Sequence, residues 1–250
     1  MDYTTWSNAM ILRFVADALE HGLGDVEALA PVVELLVTDM AARKQDGGGW
    51  SYYVTGDVNG DGAPANSISF TTAAAVVALA RAREVGFRVP DAVLEPALDA
   101  LEAMRQEDGT FAYFLFHDTG AAVSGTEPEG AVGRGPVCEL ALLEAGRGTP
   151  ERLGASLERF LDLRHLFAPE QGKVVMHAGP HGQGCHYLLF DYAHAALAHE
   201  RLDAGARSRT KLLELVLACR QPDGSFLDTP ILGRAYGTAM ALTALDALAE

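Results

Sequence analysis

Gln45-Asp46-Gly47-Gly48-Gly49-Trp50 recurs as Gln106-Glu107-Asp108-Gly109-Thr110-Phe111 and again as Gln221-Pro222-Asp223-Gly224-Ser225-Phe226. Each copy is a glutamine, a turn built on Asp-Gly, and an aromatic residue. Asp108 follows Asp46 by 62 residues, and Asp223 follows Asp108 by 115, close to twice that interval. A fourth copy is therefore expected near Gln171-Gly172, where the glutamine and glycine stand without the aspartate. A fixed period of this length marks a chain assembled from stacked supersecondary units.

Helical periodicity fits the same frame. Val26, Leu29, Val33, Leu36 and Met40 form one apolar stripe, and Val93, Ala97, Leu101 and Met104 a second. Leu153, Leu157, Phe160 and Leu161 form a third, and Leu212, Leu213, Val216 and Cys219 a fourth. Charges on their opposite faces predict four outer helices. The segments Ser67–Ala80, Pro136–Ala145, Cys185–Ala198 and Arg234–Leu248 carry few charges on any face and are predicted to be inner, with Ser7–Leu19 as a fifth. Inner-to-outer connections such as His21–Asp25 and Gly146–Pro150 are short. The returning connections, about Gln45–Asn66, Gln106–Gly133, Ala168–Gly184 and Gln221–Gly233, are long. In a ring of alternating helices the long loops gather at the end where the inner helices begin, which makes that mouth the expected site.

Composition sets the class. The chain has 250 residues, 49% apolar and 21% charged, enough for a large core in a single domain spanning 1–250. The opening Met1-Asp2-Tyr3-Thr4-Thr5-Trp6 has no basic and apolar leader pattern, so no signal peptide is expected. No apolar run reaches spanning length; Ala73–Ala80 is short and is followed by Arg81 and Arg83. A net charge of −15 argues against nucleic acid and anionic membranes as partners. Three widely spaced cysteines, Cys138, Cys185 and Cys219, point to a reducing, cytoplasmic setting with no disulfide.

The repeated turn resembles that of the squalene-cyclase and prenyltransferase β-subunit superfamily, the terpenoid cyclase group. The likeness runs along nearly the whole chain. It is strongest at Gly48–Tyr52, at Gly184-Cys185-His186-Tyr187 and at Tyr236-Gly237-Thr238-Ala239-Met240-Ala241-Leu242. It implies an all-α fold, an α/α toroid of helical hairpins with about five inner and four outer helices. The turn speaks for the fold and says little of chemistry. Cyclases of this group protonate substrate with an Asp-x-Asp-Asp segment, and the matching stretch here is Ile68-Ser69-Phe70-Thr71, without a carboxylate. Protein prenyltransferases hold zinc through Asp, Cys and His; only Cys185 matches, Gln183 and Gly237 standing at the other two places. The catalytic residues of neither family are present.

Other residues suggest chemistry of their own. His177, His181, Cys185 and His186 crowd one loop at the expected mouth, and His194 follows eight residues after His186 on the same helix. They read as a transition-metal site (His177, His181, Cys185), as a Cys–His nucleophile pair, or as solvated histidines beside a small buried cysteine. Arg134 and Arg234 begin two inner helices in similar Gly-Arg settings, followed four residues later by Cys138 and Thr238. With Tyr187 and Tyr236 they could bind an anionic ligand; alternatively each arginine pairs with a turn aspartate such as Asp108 or Asp223. Glu139 on an apolar helix is a general acid–base candidate. Asp57-Val58-Asn59-Gly60-Asp61-Gly62 has half of a calcium loop, but Ile68 stands where a bidentate carboxylate belongs, so an Asx-rich turn competes with a weak calcium site.

Three functions follow as expectations. The first is an enzyme acting on an apolar or anionic small molecule or a peptide through His181, Cys185, His186, Glu139 and Arg134. The second is a binding module for a lipid, isoprenoid or peptide, and the third a helical scaffold for a protein partner. Ring closure between the last helix and the first would leave the chain a monomer.

Overall fold

The computed structural model describes residues 4–51, 66–116, 118–123, 125, 127–174 and 187–249. They divide into two compact units: Met1–Arg105, Ala112–Val123 and Ala141–Gly148 make the first, and Gln106–Phe111, Ser124–Leu140 and Thr149–Glu250 the second.

In the first unit, α1 (Thr4–Glu20) and α2 (Val26–Ala42) are followed by α3 (Ser69–Glu84) and α4 (Asp91–Met104). The order of packing is α2 on α1, α1 on α3, and α3 on α4. Helix α3 is buried without a break from Ser69 to Ala80. Its alanines let neighbours approach from all sides, which is why a nearly chargeless helix settles at the centre. Helix α2 starts where Asp25 accepts the Glu27 amide at 2.9 Å, a side-chain cap of the usual kind. Trp6 is buried with its ring edge-on to Phe70 at 5.7 Å. Three two-residue strands depart from expectation, one at the first two residues of the helix predicted over Ser67–Ala80 and two in the connection predicted to be irregular over Gln106–Gly133. They are β1 (Ser67–Ile68), β2 (Phe114–Leu115) and β3 (Ala122–Val123), antiparallel in that order.

The second unit contains a short α5 (Pro128–Ala131), the start of α6 (Gly135–Glu144), then α7 (Pro150–Leu163), α8 (Leu188–Leu202), α9 (Gly205–Ala218) and α10 (Gly233–Ala247). Helix α8 is its centre, packed by α7, α9 and α10 and buried on nearly every face. Phe160, Phe167 and Tyr192 meet there, with ring centres 5.0 to 6.3 Å apart. The apolar stripe expected on α7 is the buried one: Leu153, Leu157, Phe160 and Leu161.

The repeated turns close alike. The Gln45 amide donates to the Gly49 carbonyl at 2.8 Å, Gln106 to Thr110 at 2.8 Å, and Gln221 to Ser225 at 2.7 Å. The aromatic that ends the turn is tied to the long helix that follows it. The Trp50 amide donates to Thr72 Oγ1 at 2.9 Å and the Phe226 amide to Thr238 Oγ1 at 3.0 Å. Trp50 Nε1 also reaches the Met40 carbonyl at 2.8 Å, so its fully buried indole leaves no donor unpaired.

Helix α10 departs from the sequence expectation of an inner helix. Only Gly237, Met240, Ala241, Ala244 and Ala247 are buried, and Leu242 is 58% exposed. Lack of charge misled the reading: alanine and threonine make this helix neutral without requiring burial.

Candidate functional site

The second unit gathers polar groups at the beginnings of α6 and α8. Arg134, Cys138, Glu139 and Asp191 are buried there, and His194 is buried one turn further along α8. Gly133 explains how the two helices meet. A Cβ placed on it would fall 2.5 Å from Asp191 Oδ2, so only glycine admits this carboxylate against the backbone. Burial drives the pKa of the Cys138 thiol far above its usual range. Arg134 pulls it down, while Glu139 and Asp191 push it up further. One thiol thus lies within electrostatic reach of a guanidinium and two carboxyl groups, and it is held as the neutral SH.

Arg134 donates through Nε to the Phe111 carbonyl at 3.0 Å and through its two terminal nitrogens to the Gly130 and Gly125 carbonyls. These bonds fasten the segment before α6. They are a different use of the side chain from the anion contact or the turn-aspartate pair that its position suggests. Arg234 does pair with the turn aspartate, meeting Asp223 at 2.5 Å on the surface. Ser225, through its hydroxyl and then its amide, holds the Asp223 carboxyl below its ordinary range, with Arg234 assisting. Cys138 occupies the place in the second repeat that Thr238 occupies in the third, four residues beyond its arginine.

At the start of α8, Asp228 accepts the amides of Leu188 at 3.0 Å and Leu189 at 3.2 Å. It caps a helix 40 residues away in sequence. Burial raises its pKa to about 7, opposed by the two amide bonds. Asp228 in turn helps push the buried Cys219 thiol up to about 12, after burial itself. Tyr187 and Tyr236, proposed from sequence as ligand contacts, come together edge-on with ring centres 6.4 Å apart. His194 sets Nδ1 2.9 Å from the Phe190 carbonyl and its ring 4.1 Å from the Phe190 ring.

His177, His181, Cys185 and His186, with the metal site and nucleophile pair proposed on them, lie outside the described residues, as do Asp57, Asn59 and Asp61 of the calcium reading. Among the described residues there is no group of three side chains suited to a metal ion, and no helix is long and apolar enough to cross a membrane. The sequence reading missed Asp191 and Asp228. Nothing local marks Asp228, which follows the third turn in an ordinary loop. Asp191 stands on a helix otherwise free of carboxylates and cations over Leu188–Ala198 apart from His194, a signal close to the one that singled out Glu139.

No family model matches the chain, and no curated protein does. Solved structures do. A crystal structure of a Salmonella alpha-2-macroglobulin point mutant aligns over 90% of this chain at 15% identity, with a TM-score of 0.51. Native alpha-2-macroglobulin from Escherichia coli, spanning domain MG7 to the C-terminus, aligns over 88% at 18% identity, with a TM-score of 0.52. This chain spans 12% of the first protein and 35% of the second. At such identities the likeness is one of fold alone.

Proposed function

We propose that this protein is a divergent enzyme of the α/α-toroid kind, acting on an apolar or anionic small molecule or a peptide at the end where its buried helices begin. One observation carries the reading: carboxyl groups are buried at the starts of α6 and α8, and two of them, Glu139 and Asp191, bear on a single thiol, Cys138. Burying carboxyl groups costs several kcal/mol per ion unless they are compensated, and clusters of this kind are candidate sites of proton transfer. In this reading Glu139 is the general acid–base, and Tyr187 and Tyr236 form an apolar wall for the ligand. His181, Cys185 and His186, which precede α8 in the sequence, supply a nucleophile or metal ligands in this reading. A toroid is supported by the alternation of long helices that are buried all round with helices buried on one stripe. A cytoplasmic monomer completes the proposal.

The test uses the purified chain with palmitate, geranyl diphosphate and a hydrophobic peptide library, following binding by calorimetry and products by mass spectrometry. A compound that binds and is converted, with conversion lost in Glu139→Gln while binding persists, sustains the enzyme. Binding without conversion under any condition would make the protein a binding module, and absence of binding by all three classes would sink both readings.

A further inference from the structure

Helix α2 has two apolar faces, and among the described residues only one is buried. Val33, Leu36, Val37 and Met40 are buried, whereas Val32 is 46% and Leu35 69% exposed. Val32 and Leu35 share their face with Asp39 by helical spacing. Asp39 marks where this face meets α1, because Asn8 Nδ2 donates to its Oδ2 at 2.6 Å. One turn along α1 from Asn8 stands Ile11, and one turn back along α2 from Asp39 stands Leu35. With the two helices joined by the short His21–Asp25 connection and running antiparallel, Ile11 and Phe14 come level with Leu35 and Val32. Phe14 is 72% exposed and Ile11 is also exposed. Four large apolar side chains therefore flank one seam between adjacent helices. Scattered exposed leucines are ordinary, but a contiguous apolar seam marks an interaction site.

Charge around the seam selects the occupant. Residues 4–42 contain six carboxylates and one cationic side chain, Arg13. Arg13 is engaged by Asp17 at 3.2 Å, and Arg43, just past α2, is engaged by Asp39 at 2.6 Å. Glu27 and Glu34 are exposed on α2 with no ion pair among the described residues. A second copy of the chain would bring like-charged rims together on molecules of net charge −15. An anionic lipid surface would be repelled for the same reason. A helix with leucine-like side chains on one face and lysine or arginine on the other satisfies seam and rim together.

We propose that the α1–α2 seam docks a basic amphipathic helix of a partner protein. This rests on the surface of the first unit and is independent of the enzymatic reading. The probe is a fluorescein-labelled 18-residue peptide of leucine and lysine in helical periodicity, titrated with the full chain by anisotropy. Saturable binding is expected, weakened about tenfold or more by Phe14→Asp/Leu35→Asp and less by Glu27→Gln/Glu34→Gln. A Leu242→Asp variant should bind as the parent does, and circular dichroism and melting should show all variants folded, since every changed side chain is exposed. Absence of binding overturns the proposal. So does binding undiminished in the Phe14/Leu35 variant, which would reduce it to general charge attraction, or equal binding of a leucine–glutamate peptide. Dissociation of a parent dimer by Phe14→Asp would likewise overturn it, giving the seam to a second copy.

Discussion

Asp228 concentrates two opposing demands in one carboxyl group: it is buried, and it caps the central helix of its unit. Burial favours the protonated form and the two backbone amides favour the carboxylate; the net pKa of about 7 says that burial prevails. The folded value lies above the ordinary 3.8, so the folded state holds this proton more tightly than the unfolded chain. The associated stability is fully present below pH 4 and is lost as the pH rises through about 7. Chemical denaturation at intervals between pH 4 and 8.5 should give a stability that declines with pH between about 4 and 7 and levels off above, and Asp228→Asn should flatten the decline. A slope unchanged in the variant would assign the dependence elsewhere. The buried thiols give a second test at this scale. The pKa values of Cys138 and Cys219 are both pushed far up, so neither offers thiolate near neutral pH. A thiol reagent at pH 8 should leave both unmodified in the native protein and label three cysteines after denaturation; fewer than three would reveal a disulfide.

At the scale of the element, the repeated turn was legible in the sequence because its causes are local. Glutamine, aspartate and glycine make their bonds within five residues, and the period between copies survives any tertiary rearrangement. The buried helices α3 and α8 were legible too, since unbroken apolar character leaves few other places for a helix to go. Helix α10 shows the weakness of that rule, because small neutral residues look the same whether covered or bare. The pairing of Asp191 with Gly133 and the cap that Asp228 makes across 40 residues depend on which helices become neighbours, and single-sequence periodicity carries no such information. The turn itself yields a sharp comparison. Gly48 has φ +94°, and a Cβ there would stand 2.2 Å from the Pro96 carbonyl oxygen; Gly224 has φ +89° but meets nothing nearer than Arg220 at 3.7 Å. Gly48→Ala should therefore cost about 3 kcal/mol or more, adding a backbone clash to conformational strain, and Gly224→Ala about 1–2 kcal/mol. Equal losses in denaturant titrations would contradict the packing of the first turn on α4.

For the molecule as a whole, the cores of both units are built from helix-borne aliphatic and aromatic side chains. Chelator should accordingly leave the melting temperature unchanged to within about a degree, even if His177, His181 and Cys185 hold a metal ion in the proposed site. A fall of many degrees would make metal part of the folding energy.

The course of the chain through its two units has a consequence for dissecting the gene. The second unit takes Gln106–Phe111, the first takes Ala112–Val123, and the second resumes at Ser124, so no single cut separates them. A product ending at Arg105 would lack Tyr113, whose carbonyl accepts the Ser69 amide at 3.1 Å at the head of α3. A product beginning at Thr149 would lack Arg134 and the three carbonyls it fastens, together with Glu139 and Cys138. Neither fragment should show a cooperative melt alone. Mixing the two would not restore one, because Arg134 and its segment belong to neither. Useful truncation variants must come from internal loop deletions that keep the crossing strands in place.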